Sequence, residues 1–443
     1  MARPLIAHAL LFLFFSLLAS ARPTFIDDYV KDNIKTYLRG VNVGGWLVVE
    51  PYLTPELFNG TKAVDQWTFD EQPGSAQSLK NHWDTFFNET DVQKLRSYGI
   101  NAYQVDTLSL RIGIGYWAYD NSNTPYHSGA DDYLEKAVGW ARKAGMAVII
   151  DLHGAPGRQN AAAGSGRIAA VEWQANGQDN LERTTEILRG MAQKYGSAKY
   201  ADTVVAIELL NEPSNGLPNT LTTSKKWTKK TFEVVREAAA NKNLRIVMHD
   251  QWVQPKNWLD VNAALNSTNP GIFALDVHQY QIFTDKDRHL DQDGHIKEVC
   301  QFAEEQLKLA KDNNLPIYGG EFSGNTFICV NADGSTFADP DGNGQLCKNG
   351  GCQCEADGGL SLDDWEDPLV QQVRRYVEAQ LDAFEKYAGG KSTLWTLIAT
   401  LFANRGCRLL LLECTRSGLL GFHGRRRKGE SLLPQTREGR TWD

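Results

Sequence analysis

Two glutamates that follow short apolar runs are the residues best suited to chemistry in this sequence. Glu212 lies in the segment LNEP (210–213), and Glu321 lies in GGEFS (319–323). Two carboxylates about 5–5.5 Å apart cleave glycosidic bonds with retention, one as nucleophile and the other as general acid/base. Such a pair also drives the two pKa values apart, so that one group is protonated while the other is charged. Taken singly, each glutamate could equally be a capping or ion-pairing carboxylate.

Seven apolar runs predict β-strands, and the segments between them predict helices. We expect strands at residues 38–43, 110–114, 147–152, 204–210, 245–249, 273–277 and 316–319, and helices at 90–98, 131–144, 180–195, 224–240 and 296–312. Strands that are apolar on both faces and alternate with helices favour a parallel sheet covered on both sides. Seven such units favour an α/β fold of the (β/α)8 TIM-barrel type, which keeps its chemistry at the C-terminal ends of the strands.

Polar residues follow most of the predicted strands, at the edge where a barrel enzyme binds its substrate. They are Glu50, His153, Asn211 with Glu212, His278 with Tyr280, and Glu321. Their equivalent positions favour a single shared site. For each histidine, a buried core residue with satisfied hydrogen bonds is the alternative. No glycine-rich phosphate-binding motif follows a strand, which argues against nucleotide chemistry.

Six motifs carry a family resemblance. They are RGVNVGGWLVVEP (39–51), RIGIGYW (111–117), DLHGAPG (151–157), LNEP (210–213), HQYQIF (278–283) and GEFS (320–323). In this order they resemble the fungal exo-β-1,3-glucanases of glycoside hydrolase family 5, over about residues 37–390. The resemblance implies a (β/α)8 hydrolase that releases glucose from the β-1,3-glucan of fungal cell walls with retention. It implies neither a metal nor an organic cofactor.

The resemblance also implies roles for the residues around the carboxylate pair. Glu212 is expected to be the acid/base and Glu321 the nucleophile, with Asn211 holding the 2-hydroxyl of the sugar. Arg111 beneath Glu321 would favour the ionised nucleophile by charge pairing. Tyr280 would donate a hydrogen bond to the same carboxylate.

Further residues are expected to contact the sugar. By the resemblance, Glu50 binds the innermost sugar unit, His153 and His278 contact hydroxyls and help to hold the carboxylates, and Phe283 forms one side of an aromatic clamp. Ala162 occupies the position where the family has the other clamp aromatic. The acceptor subsite is therefore expected to be more open, which leaves β-1,6-glucan and cellulose as alternative substrates.

The first residues and the charge predict where the protein acts. Residues 1–21 contain an apolar run that ends in small residues, which is typical of a cleaved secretory signal. Sequons at Asn59, Asn88 and Asn266 are compatible with glycosylation. We expect a secreted monomer, in the medium or the cell wall, without a membrane anchor. The net charge of −8 argues against nucleic acid or an anionic membrane as the main partner.

Seven cysteines lie in the C-terminal half: Cys300, Cys329, Cys347, Cys352, Cys354, Cys407 and Cys414. In an oxidising compartment, the cluster at 329–354 predicts a surface insertion held by disulfides. A zinc site is the alternative, although the cluster lacks two Cys-x2-Cys pairs and a nearby histidine. The pairing of the cysteines stays open.

Two segments depart from the family pattern. Residues 103–109 are expected to delay or bulge the second strand, as a tolerated loop or as a splice error in the gene model. Residues 391–443 are predicted to be an aberrant tail from a retained intron and a frameshift, which leaves a barrel domain at 22–390 without its eighth strand. Trp395 is not expected to replace the missing sugar platform, because its neighbours do not match. A glucan-binding protein with impaired catalysis is therefore a further alternative.

Overall fold

The computed structural model describes residues 37–98, 106–177, 179–347, 350–356, 364–389 and 391–396. The predicted signal segment at 1–21 lies outside these residues, as do the chain beyond 396 and the two cysteines that it contains. In the part of the chain that is described, no helix combines the length and the apolar composition needed to cross a membrane.

Eleven strands are present in the described residues. In chain order they are β1 (Tyr37–Asn42), β2 (Asp106–Gly115), β3 (Ala147–Gly154), β4 (Val204–Glu208), β5 (Arg245–His249), β6 (Phe273–Gln279), β7 (Ile317–Phe322), β8 (Ile328–Asn331), β9 (Thr336–Ala338), β10 (Cys352–Cys354) and β11 (Lys391–Leu394). Strands β1–β7 and β11 form a closed barrel of parallel strands, in the order β1-β11-β7-β6-β5-β4-β3-β2. The predicted (β/α)8 TIM barrel is confirmed.

Helices surround the barrel. They are α1 (Pro55–Phe58), α2 (Gln66–Asp70), α3 (Ser75–Thr85), α4 (Glu89–Tyr98), α5 (Ala130–Ala144), α6 (Asn180–Tyr195), α7 (Leu221–Ala238), α8 (Leu259–Asn266), α9 (Gln292–Phe302), α10 (Lys308–Asp312) and α11 (Asp367–Ala388). A π-helical turn (Ala303–Leu307) joins α9 to α10. Short 3-10 turns cover Tyr116–Ala118, Ala163–Ser165, Pro255–Trp258, Asp287–His289 and Gln345–Cys347.

The helical period explains how α5 covers the sheet. Its buried residues include Leu134, Val138 and Ala141, which recur every three or four positions and therefore share one face. The helix ends at Gly145, whose φ of +66° is the left-handed cap that glycine adopts without steric cost. Its apolar face joins the main core between helices and strands.

Several strands extend beyond the predicted bounds and so include the polar residues that were expected to follow them. Strand β3 runs to Gly154, β6 to Gln279 and β7 to Phe322. His153, His278 and Glu321 are consequently held in the backbone ladder of the barrel rather than in loops, which fixes their positions.

The expectation that the eighth strand is lost is wrong. Strand β11 pairs with β1 from Leu38↔Lys391 to Val41↔Leu394 and with β7 at Ser392↔Gly319. The strand is polar, but its burial between two open edges satisfies its backbone, and Thr393 Oγ1 also donates to the carbonyl of Gly320 at 2.6 Å. The origin of the chain beyond 396 stays a prediction.

The expectation of a delayed or bulged second strand is also wrong where the structure describes it. Strand β2 pairs with β1 without interruption from Tyr37↔Asp106 to Asn42↔Arg111, so residues 106–109 belong to the strand. The expected strand began at Leu110 because three of the four preceding residues, Asp106, Thr107 and Ser109, are polar. Residues 103–105 lie outside the described residues, and the splice-error hypothesis stays untested.

The cysteine cluster forms a small sheet of β10, β8 and β9 after β7. Two disulfides hold it, Cys329–Cys354 and Cys347–Cys352, while Cys300 is a free thiol. The predicted disulfide-held insertion is therefore present. The zinc alternative is wrong, because sulfurs joined in disulfides are not available as thiolate ligands.

Candidate active site

Glu212 lies just beyond β4 on a backbone that turns sharply. The amide of Asn211 still donates to the carbonyl of Leu152 on β3 at 3.0 Å, which continues the ladder. Glu212 then adopts a φ of +42°, a left-handed conformation that costs a non-glycine residue of order 1–3 kcal/mol. Asn160 Nδ2 donates to the Glu212 carbonyl at 2.9 Å, and Pro213 follows. The carboxylate is partly exposed at the mouth of the barrel, with a side-chain exposure of 25%.

Glu321 lies inside β7 and is almost completely buried, with an exposure of 4%. Arg111 Nη1 donates to its Oε1 at 2.9 Å, and the Tyr280 hydroxyl donates to its Oε2 at 2.7 Å. Burial raises the pKa of Glu321 above its ordinary value, while the charges of His278 and Arg111 oppose that rise. The carboxylate is thus oriented by two donors, one within β2 and one directly after β6.

His278 lies between the two carboxylates. Its Nδ1 is 2.6 Å from Glu212 Oε1 and 3.4 Å from Glu321 Oε2. Because both distances start from one nitrogen, these two oxygens are at most 6.0 Å apart, the sum of 2.6 and 3.4 Å. Burial lowers the pKa of His278, but the charges of Glu321 and Asp276 outweigh it and hold that pKa well above the ordinary value.

Arg111 is the buried centre of the site. Its Nη1 also donates to Asn42 Oδ1 at 3.0 Å, its Nη2 to Asn211 Oδ1 at 2.9 Å, and its Nε to Glu208 Oε2 at 2.9 Å. Because the oxygen of Asn211 faces the guanidinium, the amide nitrogen of that side chain points away from Arg111. One cation therefore orients both Glu321 and the side chain next to Glu212.

Two aspartates that sequence reasoning missed support the histidines. Asp151 Oδ2 is 2.6 Å from His153 Nδ1, and Asp276 Oδ2 is 3.2 Å from His278 Nε2. Each aspartate precedes its histidine by two positions, and residues i and i+2 of a strand share a face. The two-residue period of a strand could therefore have predicted both aspartates from the sequence. Gly320 leaves room for the Asp276 carboxylate, since a Cβ there would lie 1.8 Å from Asp276 Oδ2.

Glu50 and His153 line a small pocket beside the carboxylates. Glu50 is buried and accepts a hydrogen bond from the Tyr52 hydroxyl. Burial raises the pKa of Glu50 to about 7, although the nearby His153 opposes this. Gly164 lies next to these two side chains, because a Cβ at that position would be 3.1 Å from Glu50 Oε2 and 3.4 Å from His153 Nε2.

Trp395 lines the same pocket, against the sequence-based expectation. Its indole is nearly parallel to the His153 imidazole, with an angle of 6° and ring centroids 5.9 Å apart. The amide of Trp395 donates to the carbonyl of Phe322 at 2.9 Å, so β7 places it. Its neighbours in sequence did not indicate this position, which only the closing strand defines.

The outer rim carries exposed aromatic residues. Phe283 is 70% exposed and packs edge-on against Tyr280, with ring centroids 5.7 Å apart. Trp252 is 48% exposed and was not singled out from the sequence. Ala162 is exposed in the loop after β3 and presents no ring. The rim therefore offers apolar faces on the β5 and β6 side and an open side at Ala162.

Three groups of side chains in the described residues have donor atoms spaced closely enough for a metal ion. Cys329, Cys347 and Cys354 form the first, but their sulfurs are in disulfides. The other two both include His278, one with Glu212 and His249 and one with Glu208 and Asp276. In both of these groups, His278 contacts a carboxylate directly, Glu212 in the former and Asp276 in the latter, which explains why the donor atoms lie close together.

All nine residues predicted from the sequence meet at the C-terminal end of the barrel or in the loops that follow it. They are Glu50, Arg111, His153, Asn211, Glu212, His278, Tyr280, Phe283 and Glu321. Chemically, the arrangement offers one buried carboxylate oriented by donors and one more exposed carboxylate nearby. A small pocket lined by Glu50, Arg111, His153 and Trp395 lies beside them.

The chain resembles known proteins in sequence. The family model described as Cellulase (glycosyl hydrolase family 5) matches residues 67–341. A probable glucan 1,3-beta-glucosidase A from Aspergillus fumigatus is 34% identical over 369 residues, which are 81% of this chain and 82% of the relative. Glucan 1,3-beta-glucosidase 2 from Wickerhamomyces anomalus is 33% identical over 394 residues, 84% of this chain and 86% of the relative.

Solved structures resemble the fold. The rutinosidase from Aspergillus niger superimposes with a TM-score of 0.62 at 19% identity, over 86% of this chain and 97% of that chain. A second structure, described as AoRut, gives a TM-score of 0.63 at 21% identity, over 86% and 96% of the two chains. At these identities the likeness shows the fold alone.

Proposed function

Because the chain belongs to glycosyl hydrolase family 5, we propose that it hydrolyses β-1,3-glucan and releases glucose with retention. The observation that carries the mechanism is the position of His278 Nδ1, which limits the Glu212 and Glu321 oxygens to at most 6.0 Å. Inverting enzymes need about 6.5–9.5 Å between the carboxyl groups to admit a water molecule. The shorter gap suits direct attack by one carboxylate.

The surroundings of the two carboxylates support their assignment. Glu321 is the nucleophile, because Arg111 and Tyr280 donate to it and favour its ionised form. Glu212 is the acid/base, because it is more exposed at the mouth, where the departing sugar would lie. Asn211 is expected to donate to the 2-hydroxyl with the amide that Arg111 turns toward the pocket.

The reaction proceeds in two displacements. First, Glu321 attacks the anomeric carbon while Glu212 gives its proton to the departing glycosidic oxygen, and a glucosyl ester forms on Glu321. Then Glu212 takes a proton from water, whose oxygen attacks the same carbon and releases Glu321. Every proton and bond is supplied by the two carboxylates, the substrate and one water.

The pocket favours release of single sugar units from a chain end. Glu50, His153 and Trp395 line it, and Gly164 lies next to Glu50 and His153. Trp395 supplies a flat apolar face, on which the axial C–H face of glucose stacks well. We propose that the terminal sugar is the unit that enters, in line with the glucosidase activity named for the fungal relatives.

Two alternatives differ from this proposal in the linkage that is cleaved. A β-1,6-glucanase or a cellulase of the same family shares the carboxylate pair, and the open side at Ala162 favours tolerance of such acceptors. The alternative of a glucan-binding protein with impaired catalysis depended on a missing eighth strand, and β11 removes that argument.

We further propose that the protein is secreted as a monomer that acts on extracellular or cell-wall glucan. Two disulfides support an oxidising compartment. Asn59 is exposed and suited to glycosylation, whereas the Asn266 side chain is engaged with the backbone of Phe273 through both of its polar atoms.

The products from three glucans test the function. Laminarin should yield glucose alone and should be the best substrate, whereas faster hydrolysis of pustulan or carboxymethyl cellulose would favour the β-1,6-glucanase or the cellulase alternative. Proton NMR of the first turnovers should show β-glucose before mutarotation. Release of α-glucose would contradict retention, and oligosaccharides from laminarin would contradict action at chain ends. Binding to laminarin without hydrolysis would favour the binding-protein alternative.

A further inference from the structure

His249 ends β5 beside the carboxylate pair, and it takes no part in the two displacements. Its side chain is completely buried, and its ring lies against that of His278, with centroids 4.4 Å apart and planes inclined by 71°. One ring nitrogen of His249, one of His278 and one oxygen of Glu212 lie within 4.8 Å of one another. Of these three groups, only Glu212 takes part in the two displacements.

The turn after β5 determines which nitrogen of His249 carries the proton. The backbone amide of Gln251 donates to His249 Nδ1 at 3.1 Å, so Nδ1 acts as the acceptor. A neutral imidazole that accepts at one nitrogen carries its hydrogen on the other. His249 Nε2 is therefore an N–H donor, and it is buried without a protein partner among the described residues.

That turn is held in an unusual backbone conformation. Gln251, Trp252 and Gln254 have φ values of +60°, +60° and +71°, a left-handed region that is costly for residues other than glycine. The Asp250 carboxylate holds the turn by accepting from the amides of Trp252 at 2.7 Å and Gln254 at 3.1 Å. A strained turn of this kind persists only where its surroundings determine it.

The same turn is tied to the segment that carries Glu212. Gln251 Nε2 donates to the carbonyl of Ser214 at 2.8 Å, two residues after Glu212. Gln251 therefore fixes the proton of His249 with its backbone and the position of the Glu212 loop with its side chain.

Charge also favours a neutral donor at this position. Burial lowers the pKa of His249 well below its ordinary value, and the charges of His278 and Arg111 act in the same direction. Both effects favour the neutral imidazole, in which the nitrogen that does not accept from Gln251 carries the hydrogen.

We infer that His249 is a positioning residue whose Nε2–H, directly or through one water, supports the carboxylate of Glu212 as that group loses its proton. A neutral donor stabilises the ionised carboxylate without supplying a second proton to the departing oxygen. A ring nitrogen of His249 lies within 4.8 Å of a Glu212 carboxylate oxygen, a separation that a hydrogen bond or one bridging water can span. The inference rests on the proposed acid/base role of Glu212.

Two matched variants isolate the donor. In His249→Asn the side-chain oxygen replaces Nδ1 as acceptor for the Gln251 amide, and the Nε2–H is lost. In His249→Gln the side-chain amide reaches the position of Nε2 and restores a donor. His289→Gln is the control, because His289 is exposed in the connection between β6 and α9. Its kcat/KM should equal that of the parent chain on both substrates.

Leaving-group dependence is the readout that a purely structural role would not change. His249→Asn should lower kcat/KM about tenfold on phenyl β-glucoside, whose departing oxygen needs a proton, and less than twofold on 2,4-dinitrophenyl β-glucoside, whose oxygen does not. His249→Gln should recover most of the loss. Equal losses on both substrates would overturn the inference, whereas a parent chain without hydrolysis would overturn the proposed function instead.

A measurement on the parent chain keeps the test valid even if His249→Asn does not fold. Nitrogen-15 NMR of labelled histidine should show His249 neutral between pH 5 and 8, with the hydrogen on Nε2. A charged ring, or a hydrogen on Nδ1, would contradict the inference.

Discussion

The indole of Trp395 lies parallel to the imidazole of His153, with ring centroids 5.9 Å apart. Trp395 directly follows the closing strand β11 and His153 lies on β3, and together they line the pocket. Trp395 is half-buried, so part of its face is free for a ligand. The barrel therefore uses its last strand to complete the pocket as well as to close the sheet.

Replacing Trp395 with alanine should weaken sugar binding. Losing the apolar contact of one aromatic side chain costs about 1.5–3 kcal/mol, which corresponds to a fall in kcat/KM of about ten- to a hundredfold. Steady-state kinetics on laminarin oligosaccharides measures the fall. Trp395→Phe should retain most of the activity, and equal losses in both variants would argue against a stacking role.

Two truncated chains should differ in stability because of β11. A chain that ends at residue 390 lacks the strand that pairs β1 with β7, which leaves two parallel edges and the apolar core open. A chain that ends at residue 396 keeps the strand and Trp395. We expect cooperative thermal unfolding and activity only in the longer chain. Similar melting curves for the two would contradict closure by β11.

The two carboxylates should respond differently to removal of the charge. Glu321→Gln should lose turnover by orders of magnitude on every substrate, because no covalent ester can form. Glu212→Gln should lower the turnover of laminarin about 10²–10⁴-fold, because the departing sugar no longer receives a proton. It should lower the rate of glucosylation by 2,4-dinitrophenyl glucoside far less, because that leaving group needs no proton. The pre-steady-state release of dinitrophenol measures the first displacement alone and therefore distinguishes the two variants. A burst with Glu321→Gln would reverse the assignment.

Tyr280→Phe should change the pH dependence. The pKa of Glu321 is raised by burial, so the acidic limb of kcat/KM is expected above pH 4.5, and activity falls as protonation removes the nucleophile. Loss of the Tyr280 hydrogen bond at 2.7 Å disfavours the ionised form and should move that limb to higher pH. Tyr119→Phe is the control, because the Tyr119 hydroxyl donates to Asp131 and not to Glu321. This variant should leave the acidic limb of kcat/KM at the same pH as in the parent chain.

The two disulfides should contribute unequally to stability. Cys329–Cys354 closes a separation of 25 residues and Cys347–Cys352 one of 5 residues. Loop-closure entropy predicts contributions of about 3.5 and about 2 kcal/mol. Urea unfolding of the two double Cys→Ser variants measures both. A larger loss from the shorter loop would show that packing in the small sheet, rather than chain entropy, determines the effect.

The sequence by itself determined the local features of this protein. Apolar runs predicted seven barrel strands, and the bounds of β5 and α6 were predicted without error, because local periodicity reports which faces are buried. The position of Glu212 and Glu321 after their runs, and the ordered motifs, indicated the chemistry. The two-residue period of a strand could also have predicted the aspartates that contact His153 and His278.

Only the tertiary structure decided how the barrel closes and how the site is completed. Lys391–Leu394 has no apolar strand pattern, and it becomes a strand because two parallel edges, β1 and β7, are left to be paired. Closure then places Trp395 beside His153, and it brings His278 to within 3.4 Å of both carboxylates. These contacts join residues far apart in the chain, so they depend on the geometry of the closed barrel, which no local pattern encodes.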